Sequence, residues 1–360
     1  MRFGTMAEMT HEAHEARDAD PIVDLTVDLT VDLCGVRLPN PLVLASGILG
    51  THASLMHRVA RSGAGAITAK SCGPAPRGGH VNPSCVAWDN GLLNAIGLAN
   101  PGAVDEVELL VATKALLAPL GVPLIASIFA DDVDGFARVA ATIAAAEPDL
   151  LEVNISCPNV ASEFGEPFAA SCASASAVTA AVRAAVDMPI IVKLAPNVAD
   201  LARIAQAVVD AGADAICAIN TMPGLLVDAE SGRPVLANRT GGISGAALKP
   251  VALYAVDLIA RAVRVPIIGT GGVRSAVDVV EMLSAGAAAV GIGSAVYGAG
   301  PDVFGLVARD LVRWLAERNL TLADIRGRTQ RAPSWPEAAT PAPVPQADHA
   351  PAANPQPVLR

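Results

Sequence analysis

Eight short apolar runs recur along this chain, each followed by an alanine-rich segment with apolar residues three and four apart. The runs stand at Leu42–Ala45, Ala66–Ala69, Leu124–Ile128, Leu150–Val153, Ile190–Leu194, Ala215–Ile219, Ile267–Gly269 and Ala288–Ile292. Continuous hydrophobicity over four or five residues suits parallel strands buried on both faces. The segments between them predict helices over roughly 53–62, 104–118, 133–146, 173–186, 199–211, 247–263, 275–285 and 302–317. Eight strand–helix units predict an α/β fold closed as a (β/α)8 TIM barrel, an architecture that uses ~250 residues. A doubly wound sheet is the competitor, and the even spacing favours closure. Ahead of the first strand, Val27–Leu33 and Val36–Leu38 flank Cys34-Gly35 and predict an N-terminal β-hairpin on the barrel floor.

The ends of the chain read differently. Residues 1–26 are polar and weakly patterned, and residues 332–360 carry 8 of the 27 prolines. Both are expected to be disordered termini, because neither can sustain a helix or bury a core. The expected organisation is a leader over 1–26, one catalytic barrel over 27–320, and a C-terminal segment over 321–360 that ends in the Pro/Ala-rich tail.

With 52% hydrophobic residues, the 360-residue chain has ample material for one large core. A net charge of −10 argues against nucleic acid or an anionic membrane as partner. Six cysteines stand without a C-x-x-C, so neither zinc nor an iron–sulfur cluster is expected in this chain. No apolar run reaches the ~20 residues of a membrane span, and the leader lacks a signal-peptide core, so the expected location is the cytoplasm.

In barrels of this kind the chemistry sits at the C-terminal strand ends. Those positions hold Ser46-Gly47, Lys70-Ser71, Ser127, Asn154, Lys193, Asn220-Thr221, Thr270-Gly271-Gly272 and Gly293-Ser294. A merely structural barrel does not need polar or glycine residues at every one of them. The stretches IIGTGGV and AVGIGSA follow the seventh and eighth strands, where bare backbone amides commonly receive a phosphate; either alone could be a tight turn. Of 25 basic residues only Lys70, Lys114, Lys193 and Lys249 are lysines. Two of those four, Lys70 and Lys193, fall at strand ends, where an ammonium can offset negative charge on a ligand. Either alone could instead be a rim lysine.

EVNISCPNV, from Glu152 to Val160, places Cys157 in the loop after the fourth strand, between Asn154 and Asn159. A cysteine there is either a buried structural thiol or a nucleophile or general base. The two flanking amides, each able to donate and accept, favour a polar ligand beside it. LLNAIGLANPG, from Leu92 to Gly102, reads as a loop whose amides around Gly97 could meet a carboxylate.

Taken together, NPLVLASG, AITAKS, LLNAIGLANPG, VNISCPNV, VKLAPNV, AINT, GGISGAALKPVAL, IIGTGGV and GIGSA resemble the dihydroorotate dehydrogenases, and within them the NAD-linked class 1B catalytic subunits. The resemblance covers about residues 30–317. It implies FMN at the barrel mouth, with dihydroorotate or orotate stacked on it, in de novo pyrimidine (UMP) biosynthesis. Cys157 is then the base that removes the C5 proton, with hydride passing from C6 to flavin N5, and Lys70 serves catalysis beside the substrate carboxylate. Asn94, Ile96, Gly97, Leu98, Asn154, Asn159, Asn220 and Thr221 would line the substrate. Ser46, Lys70, Ser71, Ser127, Asn154, Lys193, Ile219, Gly245, Gly271, Gly272, Gly293 and Ser294 would hold FMN. The resemblance also implies an electron-transfer subunit carrying FAD and a 2Fe–2S cluster, in a homodimer or heterotetramer, and no resident metal. Relatives acting on another dihydropyrimidine, or a fumarate-linked soluble dihydroorotate dehydrogenase, are the alternatives.

Two features depart from the pattern. Ser127 stands where similar proteins commonly carry asparagine against the flavin. The stretch 72–91, read as a loop, is unusual in holding Cys72, Cys85 and Trp88, and is expected to border the substrate or the partner subunit.

Overall fold

The computed structural model describes residues 27–156 and 168–332. The 1–26 leader, most of the Pro/Ala-rich tail, and the loop carrying Cys157 and Asn159 lie outside the described residues. The chain begins with a hairpin, β1 (Val31–Leu33) paired antiparallel with β2 (Val36–Leu38). Cys34 and Gly35 both take positive φ, 57° and 82°, which is what a tight two-residue hairpin turn requires. The hairpin is shorter than predicted: residues 27–30 are not strand. The Cys34 thiol donates to the Asp214 carbonyl at 3.3 Å, just ahead of a barrel strand, so the hairpin lies at the N-terminal end of the barrel.

The barrel is closed by eight parallel strands: β3 (Leu42–Leu44), β4 (Ala66–Thr68), β7 (Leu124–Ile128), β8 (Leu150–Asn154), β9 (Ile190–Leu194), β10 (Ala215–Ala218), β13 (Ile267–Thr270) and β14 (Ala289–Ile292). They fall within a residue or so of the predicted runs. Strands β7, β8 and β9 are buried at every position, as a sheet covered by helices outside and packed side chains inside demands. The surrounding helices start where local chemistry lets them. Asp132, Ser171 and Asp200 each cap a helix by accepting a backbone N–H with the side chain. Ser275 and Asp278 form a reciprocal capping box at the helix Ala276–Ser284. The predicted helix 302–317 is Val303–Ala316, preceded by a separate short helix, Ala295–Ala299. Beyond residue 320, Leu322 and Ile325 still belong to the main core.

Two stretches read as loops contain strands. β5 (Cys85–Trp88) and β6 (Gly91–Asn94) form a hairpin, and β11 (Met222–Gly224) and β12 (Gly241–Ser244) join it in an antiparallel sheet of order β11-β12-β6-β5. Asn94 pairs with Gly242, 148 residues away, and no local pattern announces such a partner. Leu93, Ala95 and Leu236 form a small separate core on this sheet.

Candidate active site

One cavity opens at the C-terminal ends of the barrel strands and encloses about 1240 Å³ of empty space, open solvent at its mouth included. Its lining gathers Ser46, Lys70, Ser71, Asn154, Lys193, Ile219, Gly245, Gly271, Gly272, Gly293 and Ser294, all assigned to the cofactor by the resemblance. The same cavity is lined by Asn94, Ile96, Gly97, Leu98, Asn220 and Thr221, which were assigned to the substrate. The antiparallel sheet contributes Cys85, Leu92, Asn94 and Ser244, so it forms one wall of the site.

The floor is a directed chain of hydrogen bonds. Ser127 Oγ donates to Glu152 Oε1 at 2.9 Å, so its single proton is committed. Ser71 must then donate across the 2.8 Å contact between Ser71 Oγ and Ser127 Oγ. Ser71 accepts in turn from Asn154 Nδ2 at 3.3 Å. That order leaves Asn154 Oδ1 facing the other way, toward Ser156 Oγ at 3.3 Å and Asn220 Nδ2 at 3.5 Å. The amide orientation follows from the network, as amide assignments must. Ser127 itself is buried and does not line the cavity. It sits below the floor, with its hydroxyl turned into the barrel interior.

Lys193 is only 5% exposed, yet its side chain reaches the cavity. Its ammonium donates to Ser46 Oγ at 2.9 Å and lies 3.7 Å from Glu152 Oε1. A buried ammonium without such partners would be strongly unfavourable. Glu152 was not among the predicted site residues. The available signal was a lone carboxylate inside the apolar run LLEVN, where every strand position is buried.

Behind Lys70, Glu106 sits in the first turn of the helix Ala103–Leu117, buried, with Oε1 lacking a hydrogen-bond partner among the described residues. Burial pushes its carboxyl up to about 7, and the nearby Lys70 ammonium pulls it back down. Asn100, in the stretch LLNAIGLANPG, is a brace. Its Oδ1 accepts from Gly73 N at 3.1 Å and Gly102 N at 2.8 Å.

At the far end of the cavity the backbone of Gly271 and Gly272 is bare, with φ of 135° and 76°. A Cβ on Gly271 would lie 2.7 Å from Ala252 Cβ, and one on Gly272 would lie 2.6 Å from Lys249 Cβ. No other residue fits there. Bare glycine backbone at one end, with lysines, hydroxyls and amides along the floor, fits a flavin mononucleotide, whose phosphate and polar ring edge need those two environments.

Burial pushes the thiols of Cys34 and Cys217 up to about 12 and raises that of Cys72 further, so these cysteines remain protonated. The cavity-lining Cys85 thiol is raised as well, again by burial. No group of three or more His, Cys, Asp or Glu side chains among the described residues could hold a metal. No helix among them is long and apolar enough to cross a membrane.

A (β/α)8 barrel with a cationic, amide-rich cavity at its C-terminal mouth has the architecture of a barrel enzyme. The chain belongs to the dihydroorotate dehydrogenase family: the family model "Dihydroorotate dehydrogenase" matches residues 28–315. Among its relatives is the dihydroorotate dehydrogenase B (NAD(+)) catalytic subunit of Methanosarcina acetivorans, 49% identical over 270 residues, covering 74% of this chain and 85% of the relative. The proteins of the same name from Methanocaldococcus jannaschii and Trichlorobacter lovleyi are each 43% identical over 296 residues. They cover 82% of this chain, and 96% and 95% of their own lengths.

Proposed function

We propose that this chain is the catalytic subunit of an NAD-linked dihydroorotate dehydrogenase, oxidising (S)-dihydroorotate to orotate in pyrimidine biosynthesis with FMN. The observation that carries the reading is the convergence of Lys70, Lys193, Asn94, Asn154 and Asn220 on one cavity that ends in bare glycine backbone.

FMN, when bound, supplies the acceptor for the hydride leaving C6. Gly271, Gly272, Gly293 and Ser294 would hold it at the strand ends of β13 and β14, with Gly245 just after β12, and Ser46, Ser71, Asn154, Lys193 and Ile219 at the floor. Ser127 supports this set from below, through Ser71. Lys70 would pair with the substrate carboxylate, while Asn94, Asn154, Asn159, Asn220 and Thr221 orient the ring by its amide and carbonyl edges, with Ile96, Gly97 and Leu98 against it. Fixing the ring so is where most of the rate is gained, since both C–H bonds must break in one orientation.

Cys157 is the base: it takes the proton from C5 as the pair of electrons leaves with the C6 hydrogen, and the C5–C6 double bond forms. A thiol near its ordinary pKa of about 8.5 is a few per cent thiolate at neutral pH, enough for a base that is regenerated each turnover. Electrons then pass to NAD(+) through a separate subunit carrying FAD and a 2Fe–2S cluster. The relatives' name as catalytic subunits supports that partner, in a heterotetramer. The described cysteines are free thiols, which suits the cytoplasm.

The test is anaerobic mixing of purified, FMN-loaded protein with dihydroorotate. Bleaching of the yellow flavin is expected, with reoxidation by NAD(+) only when the partner subunit is added. A colourless protein that takes up no FMN, or a flavin that dihydroorotate leaves oxidised, would overturn the proposal. Efficient reoxidation of the isolated chain by fumarate would overturn the NAD-linked assignment alone.

A further inference from the structure

Glu152 lies in the barrel interior with 3% exposure, and it does not line the cavity. Strand register explains its place. Glu152 and Asn154 are two apart on β8 and share the inward face. Asn154 pairs with Lys193 across to β9, while Glu152 pairs with Ser127 across to β7. The carboxylate therefore sits one layer below the ammonium, 3.7 Å away, on the side opposite the cavity. Ser127 donates to it at 2.9 Å, and the Cys217 thiol lies against it in the same interior. Among the described residues this charge reaches the cavity lining through Lys193, through the Ser127–Ser71–Asn154 chain, and through the Cys217 thiol, which lies 3.7 Å from Thr270 Oγ1.

We infer that Glu152 is a positioning residue that sets the reduction potential of a flavin bound in the cavity, by holding part of the Lys193 charge from the interior side. The inference rests on the FMN reading above. Reducing a flavin adds electron density to the ring, which a net positive neighbour favours. The Lys193–Glu152 pair presents the cavity with the positive end of a nearly neutral pair in place of a full charge. Such a pair would leave a bound flavin reducible by the substrate and still oxidisable by the next acceptor. The same carboxylate, as the terminal acceptor of the serine chain, fixes which face of the Asn154 amide meets the cavity.

The experiment is redox titration of the FMN-loaded protein and its Glu152→Gln variant, with FMN affinity and melting temperature measured in parallel. The variant should shift the equilibrium between oxidised and reduced flavin toward reduced by about tenfold, equal to roughly 30 mV upward for a two-electron couple. Lys193→Met should move the potential the opposite way. Should Glu152→Gln fail to fold, Glu152→Asp must still raise the potential, by less, because it keeps the charge but withdraws it one methylene from Lys193. A folded variant that binds FMN with an unchanged or lowered potential overturns the inference and leaves the functional proposal standing. A wild-type chain that binds no FMN overturns both.

Discussion

Asn220, at the end of β10, reaches across the barrel mouth to Ser156. Its Nδ2 donates to the Ser156 carbonyl at 3.1 Å and to Ser156 Oγ at 3.0 Å. Ser156 is the residue before Cys157, so one side chain both lines the cavity and anchors the chain that delivers the proposed base. Asn220→Ala should therefore cost more than a substrate contact. Losing two part-buried hydrogen bonds of about 1 kcal/mol each predicts a drop of about 10–100-fold in kcat/KM for dihydroorotate. FMN affinity should change by less than about threefold. Steady-state kinetics beside a flavin titration check it, and an equal loss in both would contradict the anchoring role.

Cys157→Ala should retain FMN but slow anaerobic bleaching by dihydroorotate by roughly 10²–10⁴-fold, the usual worth of a general base. In the wild type the bleaching rate should rise with pH, because only the thiolate can take the proton. A stopped-flow pH series on both proteins reads the two effects. An unchanged rate in the alanine variant removes Cys157 from the mechanism.

Gly272→Ala tests the bare backbone at the phosphate end. The added methyl would sit 2.6 Å from Lys249 Cβ and 2.9 Å from the Gly245 carbonyl, at a φ of 76°. Left-handed φ alone costs an L-residue about 1–2 kcal/mol. The expected result is a melting temperature lower by several degrees and FMN affinity weaker by about tenfold or more. Isothermal titration with FMN measures the affinity, and wild-type affinity would show that this backbone does not meet the phosphate.

Asp278 holds that same loop from behind. It accepts from Lys249 Nζ at 2.6 Å and from the amides of Arg274 and Ser275 at 2.9 Å each. Burial alone would raise its carboxyl, but the Lys249 hydrogen bond, the Arg274 amide and the Ser275 hydroxyl hold it below the usual carboxylate range. Its contribution to stability is thus present above about pH 4 and fades as pH falls further. Asp278→Ala should lower stability at neutral pH by about 2 kcal/mol. The gap to wild type should narrow in acid. Denaturant melts at several pH values check this, and a constant gap would refute it.

Glu106 predicts the opposite slope. Its carboxyl, pushed up to about 7 by burial, binds its proton more tightly in the folded chain than in the unfolded one. Stability from this group is complete below about pH 4.5 and is lost as pH rises to about 7. Glu106→Gln should therefore be more stable than wild type at pH 8 and close to it at pH 5. Parallel urea melts at the two pH values measure it, and a variant less stable at both would contradict the assignment.

Much of the barrel could be read directly, because a strand buried on both faces must be apolar throughout. β7 and β9 match their predicted runs residue for residue. The site was legible for the same reason: in an eight-fold strand–helix alternation, polar residues at the end of apolar runs have only the C-terminal mouth to face. The wall made by β5, β6, β11 and β12 was not legible. Its strands are three or four residues long, rich in glycine, and paired with partners far along the chain.

What the sequence determined by itself was the set of strand ends, and with it the lysines, asparagines and glycines available to one cavity. Only the tertiary structure decided which polar side chains reach that cavity and which support it from beneath. The sequence puts Ser127 and Ser71 alike near the ends of apolar runs, yet in the closed barrel Ser127 is still inside β7, its hydroxyl turned down to Glu152, while Ser71 lies three residues past β4 at the cavity floor. That difference arises from strand stagger, which sets the layer each inward side chain occupies. It depends on all eight strands at once, so no local stretch of sequence can carry it.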